Sequence, residues 1–111
     1  MNRRRRNGEM EPNMVAIVEN WAVVTGRITG LEDSAGLPEF AAVSLEVEEV
    51  EPVGGYPNLV HVDPGSGLTV FVRRELTRRL GMRTGDRVSI RTRRGGQNRF
   101  YAHPDGIAVL D

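Results

Sequence analysis

Arginine is the residue through which this chain can do most of its chemistry. All fifteen basic residues are arginine, and ten of them lie between positions 73 and 99 with only Glu75 and Asp86 among them. A guanidinium presents a planar fork of donors that fits phosphate and carboxylate oxygens, and it also stacks on aromatic rings. Binding a single strand of nucleic acid requires a cationic surface with rings on which bases can stack. Phe71, Arg73, Arg87, Arg91, Arg93, Arg94, Arg99 and Tyr101 supply both and form the candidate nucleic-acid-binding set.

Other chemistries find little to work with. There is no cysteine, which removes disulfides, thiolate metal sites and thiol nucleophiles. No nucleophile–base pair and no glycine-rich phosphate loop can be read, so the chain is not expected to be an enzyme. His61 and Asp63 are echoed by His103 and Asp105, but both pairs sit in turn-rich Asp-Pro-Gly and His-Pro-Asp-Gly contexts. No third ligand is placed by spacing, so neither a metal nor a cofactor is expected. The adjacent Glu48 and Glu49 fall on a solvent-facing strand, where paired carboxylates form an ordinary solvated face.

The formal net charge is zero, yet the charges are segregated along the chain. Positions 32–63 carry eight carboxylates and no arginine. An acidic half and a basic half suit a second kind of partner: another protein, or a second copy of this chain docked head to tail. Glu46 and Glu48 are expected beside Phe71 and Arg73 on neighbouring strands. There they would repel phosphates and shift a nucleic-acid surface toward the fourth and fifth strands and their Gly-Gly loop.

The elements that must hold these residues are mostly strands. At 111 residues the chain suits one domain. Residues 1–13, with Arg3–Arg6 in a row, bury nothing and read as a disordered arginine-rich tail, leaving 14–111 as the domain. The four tail arginines could act as a phosphate-binding arm. No apolar run is placed for a secretory signal or long enough to span a bilayer, so a cytoplasmic protein without a membrane partner is expected.

Trp21–Leu31 is rich in β-formers, with Val24, Gly26 and Ile28 on one face, and mid-strand Gly26 marks a bend or a close backbone approach. Trp21 is read as a barrel plug or end cap. Val43, Leu45 and Val47 alternate with Ser44, Glu46 and Glu48, and a bulge is expected at Glu48-Glu49. A turn-rich connection follows, with a short strand at 59–62. Leu68, Val70 and Val72 point inward in the third strand. A short helix over 75–80 places Leu76 and Leu80 on one face, with Gly81 as its stop. Val88 and Ile90 face inward in Arg87–Arg94. A Gly95–Asn98 hairpin leads to Arg99–Ala102, and the chain closes with Ile107–Leu110 after a turn or bulge.

This order resembles the OB-fold, a five-stranded Greek-key barrel with a helix between its third and fourth strands. The passage Leu80–Val88 (LGMRTGDRV) is similar to the equivalent part of molybdate-binding TOBE domains, which are OB-like barrels. Their N-terminal motif has no counterpart here, and the middle loop is longer, so no oxyanion site is carried over. The resemblance implies an all-β, small five-stranded OB-like barrel. It also implies a binding face on the second and third strands and on the loops joining strands 1–2 and 4–5.

Overall fold

The computed structural model describes residues 18–111, so the arginine tail and residues 14–17 lie outside the described residues. Five strands, β1 (Ala22–Asp33), β2 (Phe40–Pro52), β3 (Gly67–Arg73), β4 (Arg87–Arg94) and β5 (Phe100–Val109), close into a barrel in the order β1-β2-β3-β5-β4. One short helix, α1 (Arg74–Arg79), joins β3 to β4. Neighbours are antiparallel except β3 and β5, which pair in parallel at Val70–Phe100 and Phe71–Tyr101. The layout is compatible with an OB-like fold.

Alternation along each strand fills the interior. Val24, Ile28, Val43, Leu45, Val47, Leu68, Val70, Val72, Val88 and Ile90 are all buried in one cluster, with Leu76 of α1 and Met82 closing it. Leu80 departs from expectation and is exposed. The helix ends at Arg79, Gly81 turns the chain with φ +64°, and Met82 takes the buried place instead. The Met82 amide donates to the Thr77 carbonyl at 3.0 Å, which fixes that reversal.

Two register details shape the outer surface. Thr25 pairs with Glu49 and Gly26 with Val47, so Glu48 is the extra residue of a bulge and both Glu48 and Glu49 turn outward. At Gly26 the β2 backbone comes so close that an added Cβ would lie 2.5 Å from the Glu46 carbonyl oxygen. On β5, residues 103–106 bulge opposite Arg91, since Thr92 pairs with Ala102 and Ile90 with Ile107. The two short closing strands read from the sequence are therefore one interrupted strand.

Residues 59–62 form no strand. Val60 is buried in the core and Val62 packs against it, anchoring the long β2–β3 connection (53–66). Asn20 is 1% exposed and prolongs the β1–β4 pairing. Its side chain accepts from the Arg94 amide at 2.8 Å and donates to the Arg94 carbonyl at 3.0 Å.

Candidate functional site

Because side chains alternate across a strand, Phe71, Tyr101 and Arg93 all project from the outside of the barrel. Pairing sets them in one line: Ala42 of β2 opposes Phe71, Phe71 opposes Tyr101, and Tyr101 opposes Arg93. One step along, Phe40 opposes Arg73. The Tyr101 ring thus lies between two others, 5.8 Å from Phe71 and 5.9 Å from Phe40, the latter edge-on. Such offset and edge-to-face contacts are the favourable geometries for ring quadrupoles.

A guanidinium covers each of these rings. Arg93 lies 5.1 Å from the centroid of Tyr101, Arg73 5.5 Å from that of Phe40, and Arg99 5.9 Å from that of Phe71. All three rings are half-buried, and Arg73 and Arg93 are exposed. An arginine stacked on a ring still directs its N–H edge outward, so the pair offers donors for a phosphate and a flat surface for a base. The patch lies between the β1–β2 loop (34–39), which leads into Phe40, and the β4–β5 loop (95–99), which leads into Tyr101.

The carboxylates are distributed differently from expectation. Glu46 pairs with Gly67 of β3 and Arg27 of β1, not with Phe71 or Arg73. Glu48, pushed outward by its bulge, accepts a 2.7 Å bond from the Arg87 Nε. Beside the ring row, Glu39 is the one carboxylate among the described residues that pairs with one of the three arginines over the rings, 3.2 Å from Arg73. Alternation indicates which side a residue faces but not which residue faces it across the gap, and the register here sets β3 against the first half of β2.

Five of the eight candidate residues therefore come together: Phe71, Arg73, Arg93, Arg99 and Tyr101. Arg87 stands apart at the far end of β4 in its pair with Glu48. That hydrogen bond, reinforced by the charge of Glu48, pushes the Arg87 pKa above its ordinary value. Arg94 sends its guanidinium to the Asn98 side-chain oxygen in the β4–β5 loop. It also lines an open depression of about 300 Å³ with Val18, Leu59 and Gly95–Asn98. Arg91 lies over Trp21 at 5.2 Å and near Tyr56 at 6.0 Å.

Phe40, Trp21 and Tyr56 join this surface without having been singled out as binding residues. Phe40 was legible, since it alternates with the inward Ala41 and Val43. Tyr56, on an irregular loop, left no such signal. Trp21 is buried beneath Arg91, 5.1 Å from the His103 ring. His103 accepts from the Asp105 amide at 3.0 Å, and no cluster of three or more potential metal ligands exists among the described residues.

Comparison of the chain with protein-family models gives no match, and comparison with curated proteins gives none.

Proposed function

We propose that this chain is an OB-fold protein that binds single-stranded nucleic acid on the outer face of β3, β5 and β4. One observation carries the proposal: three contiguous rings, each with an arginine over it, on a face where Arg93 and Arg99 have no carboxylate partner among the described residues. The strand order, the parallel β3–β5 pair and the helix between β3 and β4 support the OB assignment, and the two flanking loops are those with which such barrels bind strands, although the ring row runs over β3, β5 and β4 instead of the usual second and third strands.

The second reading, a dipolar module docking another protein, has less behind it. The acidic and basic stretches of the chain meet within the barrel through Asp33–Arg74, Glu39–Arg73 and Glu48–Arg87. Much of the separation seen along the sequence is thereby cancelled in space.

Fluorescence anisotropy with a labelled oligothymidylate at low ionic strength tests the proposal. Tyr101→Ala removes the central ring, and loss of one stacked base, about 1–3 kcal/mol, weakens binding about 5- to 150-fold. Wild-type affinity in a variant of unchanged melting temperature refutes it.

A further inference from the structure

All six aromatic residues but Phe100 carry an arginine over the ring, and two of those five rings lie beyond the row just described. We propose that Tyr56 and Arg91, seated on Trp21, form a second nucleotide station that the β2–β3 loop adds to the same interface. This rests on the nucleic-acid reading and extends it to the path and length of the bound strand.

Arg91 is a cation held in place with no ion pair among the described residues. Its guanidinium packs between Trp21 and Tyr56. Its Nε is buried with no hydrogen-bond partner. The β5 bulge clasps its stem so closely that a Cβ on Gly106 would meet the Arg91 Cβ at 2.5 Å. Withdrawing part of a guanidinium from water without a partner is costly unless its remaining donors reach an anion.

The floor beneath it is equally fixed. Trp21 is 9% exposed, and its indole N–H donates to Glu19 at 3.0 Å. The Trp21 amide donates to the Pro57 carbonyl at 3.3 Å, tying the loop to the start of β1. In a tight turn formed by Gly55 at φ +89°, the Tyr56 amide donates to the Val53 carbonyl at 3.1 Å. Tyr56 itself remains 37% exposed, which leaves part of its ring available for stacking. An irregular connection of this length is commonly a binding loop.

The two stations share a face. Arg91 and Arg93 are two residues apart on the same side of β4, about 7 Å along the strand, and Phe71 lies two strands from Arg93, about 10 Å across. The diagonal is about 12 Å, and stacked nucleotides advance about 3.4 Å each. A bound strand covering both stations is thus about four to five nucleotides long.

The test is a series of oligothymidylates of about two to about eight nucleotides, bracketing the site size of one small barrel. Wild-type affinity is expected to climb until about five nucleotides. Tyr56→Ala and Arg91→Ala are expected to stop that climb early, losing about tenfold on the longest oligomer and little on the shortest, while Tyr56→Phe keeps the ring and the affinity. Tyr56→Ala, an exposed loop change, guards against misfolding of the Arg91 variant. If Tyr56→Ala matches wild type at every length while Tyr101→Ala still loses binding, the second station is wrong and the first stands. If no oligomer binds, or Tyr101→Ala binds like wild type, the nucleic-acid reading falls and takes the station with it.

Discussion

Replacing Arg93 and Arg99 together by alanine separates charges that are available to a ligand from charges already satisfied within the barrel. Arg73 faces Glu39 at 3.2 Å and Arg87 faces Glu48 at 2.7 Å, whereas Arg91, Arg93, Arg94 and Arg99 have no carboxylate partner among the described residues. If those four each neutralise one phosphate, the log–log dependence of affinity on salt has a slope of about −2.8, at about 0.7 per phosphate for a single strand. Raising salt from about 50 to about 200 mM then costs the wild type about 50-fold in affinity. The double variant keeps two of the four, so its slope flattens to about −1.4 and the same change in salt costs it about sevenfold. Arg87→Ala is the control, because removing a cation already paired with Glu48 and distant from the rings leaves the slope unchanged. Anisotropy titrations across a salt series read all three proteins. A double-variant slope within about 0.3 of wild type, or an equal flattening in Arg87→Ala, refutes the placement of the interface.

Two further outcomes follow from the barrel itself. Gly26→Ala sets a Cβ 2.5 Å from the Glu46 carbonyl oxygen and 3.3 Å from the Val47 Cα, backbone atoms that cannot swing aside. Overpacking of this kind costs about 1–3 kcal/mol, and at about 4–8 °C per kcal/mol calorimetry should show a melting temperature lower by about 5–20 °C. A melting temperature equal to wild type means the strands do not approach so closely. At the end of β2, a hydrogen bond that protonated Glu49 donates to the Glu51 carboxylate, and then the repulsion between the two charges, raise the Glu49 pKa above the ordinary carboxylate value. A carboxyl with a raised folded-state pKa contributes stability that is complete below its unfolded pKa and is lost as pH rises through the folded value. Glu51→Gln should therefore bring the Glu49 titration down in a carbon-detected NMR experiment and lessen the loss of stability between acidic and neutral pH. An unmoved Glu49 midpoint contradicts the pairing.

Much of the barrel is legible residue by residue. Period-two alternation places Val24, Ile28, Val43, Leu45, Val47, Leu68, Val70, Val72, Val88 and Ile90 inside, because each strand has one dry face and one wet one. Gly26 and Glu48-Glu49 announce the close approach and the bulge, since each breaks the alternation in a way with few physical solutions. Leu80 misleads: helical spacing cannot tell that Gly81 ends the helix early enough for Met82 to replace it.

The candidate interface is legible as a composition and a side, but not as an arrangement. Alternation assigns a face to every strand residue, and so puts arginines and aromatic rings together on the outside of β3, β4 and β5. Their partners come from how the strands pair in the closed barrel. The register that follows the long β2–β3 connection brings Phe40 to Arg73 and Tyr101 and leaves Glu46 opposite Gly67. The bulge at Glu48 delivers its carboxylate to Arg87. A shift of two residues would keep every face and change every partner, and no local preference of the chain distinguishes those registers. Closure of the whole barrel does, through the fit of all five strands at once.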